Sequence, residues 1–179
     1  ALLFIYFLFA VVGIQGWVWL SRLYTKHSIW CLSMTMACAA FLAVPLLSAG
    51  DIVAFGVVCA LTGLTLGSDL ALPPAIQADC ADWDRFRFRK ERTGTLFAYW
   101  SMSTKLALGL AVGFAFPMLS WLGLDDQTQT ASNQSKMALV VIYAAIPIVL
   151  KMMAIMLMRS FPIGPKQHLA IDRRLESRA

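Results

Sequence analysis

Three ionisable features stand where apolar residues are expected. Lys105 lies inside "YWSMSTKLALGLAVG", residues 99–113. Asp69 lies inside "GLTLGSDLALPP", residues 63–74. A third feature, "ADCADWDRFRFRKER", residues 78–92, sets Asp79, Asp82 and Asp84 ahead of Arg85, Arg87, Arg89, Lys90 and Arg92. A charge at the centre of a lipid bilayer costs about 2.5–3.5 kcal/mol on insertion scales, so such groups face protein, an ion or a polar cavity. Lys105 can therefore pair with a carboxylate or bind a polar solute. The hydroxyls of Ser101 and Thr104 lie beside it and can bond a solute, although on an apolar helix they more often bond a backbone carbonyl. Asp69 reads either as a cavity or gate carboxylate, or as a structural acid paired with a nearby base. The acid-then-base run can close salt bridges to neighbouring chain ends. It is short, internally neutralised and next to apolar segments, so nucleic acid is not an expected partner.

Other chemistries find little support. Cys31, Cys38, Cys59 and Cys80 form no CxxC pair, and three of them sit in apolar runs, as small buried hydrophobes do. The two histidines are His27 and His168. The sequence contains no HExxH, GxSxG or phosphate-binding glycine loop, so the familiar hydrolase and nucleotide-binding motifs are absent. No cofactor or metal is expected.

The elements that must carry these residues follow from composition. Apolar residues make up 59% of the 179 and charged residues 14%, against about 25% charged in soluble domains. A spanning helix needs about 20 mostly apolar residues. Five segments qualify, at 1–20, 29–48, 52–76, 95–121 and 137–158. The expected fold is all-α: a polytopic helical membrane protein with about five transmembrane helices. Residues 1–159 form the bundle and 160–179 a polar tail. Basic residues concentrate in "SRLYTKHS", in "QADCADWDRFRFRKERTG" and in the tail, while "SAGD" and "GLDDQTQTASNQSK" hold only Lys136. The excess of Lys and Arg marks cytoplasmic connections, so the tail is expected inside and the start of the chain outside. The sequence begins in a hydrophobic run without Met or a basic leader, and we expect a piece of a longer chain.

Further expectations attach to single positions. Pro73-Pro74 can break or kink the third helix and free backbone carbonyls. Lys151, about two turns from the end of the last segment, is expected to snorkel to the interface. Gly63 and Gly67, and again Gly109 and Gly113, form GxxxG pairs that let helices approach closely. Plain packing is the simpler reading of both pairs, and helix sliding the sharper one.

"LGSDLALPPAIQADCADWDRFR" followed by "GTLFAYWSMSTKLALGLAVG" resembles the glycoside–pentoside–hexuronide:cation symporters, the melibiose-carrier-like branch of the major facilitator superfamily. That family shows an "LP…AD..D" stretch ending its tenth helix, a small residue, then an aromatic-rich eleventh helix with one lysine. Asp79, Asp82, Gly94, Tyr99 and Lys105 occupy those places. "WLSRLYTKH" resembles the basic loop between the eighth and ninth helices. The resemblance implies helices eight to twelve of a twelve-helix carrier working by alternating access, with Lys105 near the central site. Apart from the resemblance, Trp100, five residues before Lys105 and only loosely on its face, reads as a ring for the apolar face of a sugar or, more simply, as an interfacial or packing aromatic. Asp79 and Asp82 would be cytoplasmic gate acids. Glu91 and Thr93 stand where the family places an arginine and an acid, so Lys90 or Arg92 is expected to serve as the gate base. Ser21 and Thr25 replace the superfamily's usual Asp and Gly around Arg22, the remaining gate candidate.

The expected function is thus cation-coupled symport of a sugar, glycoside or similar small solute, in a bacterial inner membrane. The coupling ion would be Na⁺ or H⁺, held mainly in an amino-terminal half outside this sequence. The expected partners are the small-molecule substrate, the lipid bilayer and that other half. Two alternatives remain: a relative carrying a non-sugar solute or lipid, and a stand-alone five-helix assembly protein or enzyme.

Overall fold

The computed structural model describes residues 2–47, 51–121 and 144–159. Five α-helices follow one another: α1 Leu2–Leu23, α2 Lys26–Ala43, α3 Ile52–Phe88, α4 Thr93–Trp121 and α5 Ile146–Arg159, with a 3-10 turn at Val44–Leu46 after α2. The described residues contain no strand. By length and composition, Leu2–Leu23, Ile52–Phe88 and Thr93–Met118 can each cross a membrane. The second and fifth expected spans are represented by the 18 residues of α2 and the 14 described residues of α5. The expected connection at 123–136 and the tail at 160–179 lie outside the described residues.

Several boundaries differ from the sequence expectation, α1 ending at Leu23 rather than 20 and α2 at Ala43 rather than 48 among them, and two of the differences have a clear local cause. The second helix starts at Lys26 rather than 29, because Thr25 caps it: its hydroxyl oxygen accepts the Ser28 N–H at 3.4 Å. Such a cap satisfies one of the orphan amides of the first turn. The third helix does not end near 76. It runs 37 residues through both prolines to Phe88. Each proline removes one amide and so frees one carbonyl, at Asp69 and Leu70, but the flanking bonds carry the helix on. The change from apolar to charged residues after Ile76 marks where the lipid ends, not where the helix ends. The real stop is Arg89, at φ 53° in the left-handed region, which leaves a connection of only four residues, 89–92, in place of the expected 77–94.

α1 lies tightly on α3, and glycine sets the spacing. A Cβ on Gly67 would come to 2.5 Å from the Ala10 carbonyl oxygen, and one on Gly13 to 2.6 Å from that of Leu64. Gly63 presses against the Tyr6 carbonyl in the same way. The first GxxxG is therefore a close packing contact. The Trp17 indole N–H donates to the Leu64 carbonyl at 2.7 Å, and Trp17, Ile29 and Leu72 form a small apolar core between α1, α2 and α3. α5 packs on α2. α4 stands apart: residues 98–114 are all exposed, and added Cβ atoms at Gly109 and Gly113 would meet nothing within 4 Å among the described residues.

The α1–α3 contact predicts a sharp contrast between glycines. Gly67→Ala should lower the thermal unfolding midpoint of the detergent-solubilised protein, at an overpacking cost of about 1–3 kcal/mol. Gly56→Ala, whose new atom would meet only Leu2 at an ordinary 3.8 Å, should leave the midpoint unchanged or raised. Equal midpoints for the two variants would contradict the packing geometry.

Candidate functional site: intramembrane charges and the polar end of α3

Asp69 joins three helices. Its Oδ1 accepts the Trp30 indole N–H from α2 at 2.8 Å, and its Oδ2 takes the Lys151 ammonium from α5 at 2.8 Å. The side chains keep 31% and 23% of their surface, Asp69 and Lys151 respectively, so the pair is largely but not wholly covered. Directly before Asp69 on α3 lies a buried polar seam. The Ser33 and Ser68 hydroxyls bond each other, and both lie within reach of the Thr65 carbonyl, Ser68 at 2.9 Å. α2 and α3 are thus bonded at two successive levels.

Lys151 corrects the snorkelling expectation. Its ammonium turns to Asp69 rather than to an interface, because a carboxylate within reach in a low-dielectric setting outweighs partial hydration. The signal was present in the sequence. Asp69 is the only Asp, Glu, Lys or Arg between 52 and 76, and Lys151 the only one between 137 and 158. Lys105 is likewise the only one between 95 and 121, so the sequence offers Asp69 two lysines and the fold chooses between them.

Lys105 has no such answer. It sits at the middle of the Thr93–Met118 span, exposed, and no carboxylate reaches it among the described residues. Trp100 and Ser101 are exposed one turn away. The Thr104 hydroxyl donates to the Trp100 carbonyl at 2.9 Å, the local bond usual on apolar helices. Lys105 and Asp69 therefore belong to separate places. One faces outward on α4, and the other is enclosed by α2 and α5.

The polar end of α3 carries a second set of ion pairs. The Lys26 ammonium contacts both oxygens of Asp79, at 2.6 and 2.8 Å, with Asp79 only 15% exposed. This pair ties the start of α2 to α3. Arg92 reaches Asp84 at 3.0 Å and Arg85 reaches Glu91 at 2.8 Å, folding the short turn onto the end of its own helix. The Gln77 amide reaches the Leu96 carbonyl at 3.4 Å. Of the expected gate residues, Asp79 and Arg92 are paired, but to Lys26 and Asp84 rather than to one another. Arg22, Asp82 and Lys90 form no ion pair among the described residues. Lys26 and Asp84 were missed as partners, although both lie in the stretches singled out for charge. The second oxygen of Asp84 is buried without a hydrogen-bond partner among the described residues.

All four cysteines are free thiols. No three of His, Cys, Asp and Glu converge to hold a metal among the described residues.

Comparison with known proteins decides the class of this arrangement. Residues 1–165 match the family described as MFS/sugar transport protein. The chain belongs to that family. It is an integral membrane protein of the major facilitator superfamily, a group of transporters rather than enzymes, and its family points to sugars or similar solutes. No curated protein matches it closely enough to count as a relative. In a carrier of this superfamily, the Asp69–Lys151–Trp30 cluster and the Lys26–Asp79 pair act first as ties between helices. Of Asp69, Lys105 and Lys151, only Lys105 has no ion-pair partner among the described residues.

The triad yields a double-mutant prediction. Removing one partner of a buried pair strands the other charge and costs about 3–5 kcal/mol when burial is complete, less at partial exposure. Asp69→Asn and Lys151→Met should each lower the folded, membrane-inserted yield of the carrier. The combined Asp69→Asn/Lys151→Met variant should recover most of that loss. Losses that simply add in the double variant would show that the two side chains do not act as a pair.

Proposed function

We propose that the chain forms helices eight to twelve of a twelve-helix symporter that carries a sugar, glycoside or similar small solute by alternating access, coupled to Na⁺ or H⁺. Lys105 carries the proposal. It is a cation at mid-span of an apolar helix, exposed and unpaired among the described residues. Intramembrane charges of this kind mark substrate and ion pathways. On this reading α4 lines the central cavity. Lys105 faces the solute or the carboxylates of the coupling site, the exposed Ser101 hydroxyl offers a bond to a solute hydroxyl, and the Trp100 ring offers a stacking face. Thr104, bonded to its own helix, shapes the wall of that cavity. Asp69 supports the cavity indirectly by holding α3 against α2 and α5.

The Lys26–Asp79 pair belongs, in this proposal, to the cytoplasmic gate. The excess of basic residues at that end supports a cytoplasmic location. Asp82, Lys90 and Arg22, which form no ion pair among the described residues, are assigned to partners in the other half of the carrier, and the Asp84–Arg92 clasp holds α4 in position. The main cation site is assigned to that other half as well, where the family this sequence resembles carries its cation-binding carboxylates. Alternating access then rocks one half against the other around the central site.

In the full-length carrier, Lys105→Ala should abolish solute uptake or cut it at least about a hundredfold, the loss of one charged contact worth about 3 kcal/mol, while membrane insertion is retained. Uptake at the wild-type rate would remove Lys105 from the cavity. Coupling is read from the same assay: uptake that collapses on removing Na⁺, or on adding a protonophore, identifies the driving ion. Uptake indifferent to both would make the carrier a facilitator.

A further inference from the structure

We infer that the end of α3 and the turn after it form a binding site for the headgroup of an anionic phospholipid. The argument begins with length. The 37 residues of α3 span about 55 Å, while a bilayer's hydrocarbon core is about 30 Å thick and about 40–45 Å with its headgroups. The surplus must emerge at one end. From Ile52 to Ala78 the only charged residue is Asp69, whereas Asp79, Asp82, Asp84, Arg85 and Arg87 crowd the last ten positions. The helix therefore emerges near Asp79, and Trp83 to Phe88 pass through the headgroup layer, about 6–14 Å further on.

An open groove of about 430 Å³ lies at that level, lined by Trp83, Phe86, Arg87 and Arg89. Its volume falls within the range of small-ligand sites. Indole and phenyl rings favour this interface, and the Arg87 guanidinium lies 5.0 Å over the Trp83 ring, held in place by its own helix. The local ion pairs then decide the sign of the site. Of the five basic residues from Arg85 to Arg92, Arg85 is paired with Glu91 and Arg92 with Asp84. Arg87, Arg89 and Lys90 are exposed and have no carboxylate partner among the described residues. Asp82 is half-buried further back on α3 and does not line the groove. The local pairing thus takes up Asp84 and Glu91 and leaves Arg87, Arg89 and Lys90 without a carboxylate partner among the described residues, two of them in the groove. Arg89 holds the left-handed conformation at the helix end, φ 53°, a position glycine fills more easily. A guanidinium there therefore calls for a reason beyond the turn. A phosphodiester accepts two guanidinium forks, and its acyl chains would run back along the apolar surface of α3.

The test uses the full-length carrier reconstituted in phosphatidylcholine vesicles that contain the same small fraction of either brominated phosphatidylglycerol or brominated phosphatidylcholine. The emission of Trp83 is taken as the difference between wild type and Trp83→Phe. Brominated phosphatidylglycerol should quench this emission more strongly, with a local enrichment of about five-fold per arginine engaged. Arg87→Gln/Arg89→Gly, in which glycine preserves the turn, should bring the two lipids level. Arg159→Gln, an exposed base elsewhere on the same end, should leave the preference unchanged. Equal quenching in wild type, or a preference that survives in the double variant, overturns the proposal. Loss of the preference in Arg159→Gln would reduce it to general surface charge. Abolition of the preference by excess inorganic phosphate would assign the groove to a soluble anion and overturn the lipid reading.

Discussion

The carboxylate of Asp69 holds an indole from α2 on one oxygen and an ammonium from α5 on the other, and the rest of the bundle is arranged around that bond. Between helices in lipid there is no water to expel, so association rests on close van der Waals contact and on polar bonds. α2 and α5 contain no glycine to bring them close to α3, and they are fastened by polar bonds instead: Asp69 to Trp30 and Lys151, Ser68 to Ser33, Asp79 to Lys26. α1 is fastened by the opposite means. Gly13, Gly63 and Gly67 bring its backbone onto that of α3, and Trp17 adds one bond to a carbonyl. α3 is the common member of both sets, which makes it the mast of the described bundle. A buried ion pair of this kind adds little net stability against an apolar replacement, but it penalises every arrangement in which either charge loses its partner. It therefore selects one packing of three helices more strongly than it stabilises that packing.

The helices were legible because hydrophobic length is a strong signal, and the first GxxxG was legible because small-residue spacing has few other uses in lipid. What the sequence hid was pairing across distance. Asp69 and Lys151 are 82 residues apart and Lys26 and Asp79 are 53 apart. No local rule couples such positions, and each lysine had a sufficient local explanation, snorkelling for one and a basic loop for the other. A count of charges per segment narrows the partner of Asp69 to two lysines, Lys105 in the fourth segment and Lys151 in the fifth, but only the packing of α5 on α2 decides for Lys151. The prolines misled in a different way. A Pro-Pro pair ahead of a run of charged residues reads as a helix end, yet two missing amides cost less than breaking a helix whose next three turns are tied down by Asp79, Asp84 and Gln77. Thr25 hid the start of α2 for a related reason: a cap looks like a loop residue until its acceptor is seen to face the first turn.

Lys105 is the point at which sequence and structure agree on a question rather than an answer. Of the three intramembrane charges, Asp69 and Lys151 neutralise each other, so Lys105 alone still needs a partner or a polar surrounding. Its helix is also set apart. α4 is tied to α3 at its first turn, by Arg92 to Asp84 and by Gln77 to the Leu96 carbonyl, and beyond that its residues are exposed through Phe114. Lys105 lies 13 residues beyond Arg92, about 20 Å along the helix, so a tilt of about 10° at the tied end would carry it roughly 3.5 Å. On the proposed function, alternating access would ask for this combination: a set of helices that keep their neighbours, and a lining helix free to exchange its own. The polar bonds and glycine contacts hold α1, α2, α3 and α5 to the first role. The exposed stripe of Ser101, Lys105, Gly109 and Gly113, four residues apart along α4, suits the second, because small residues permit a close neighbour and the lysine requires a polar one.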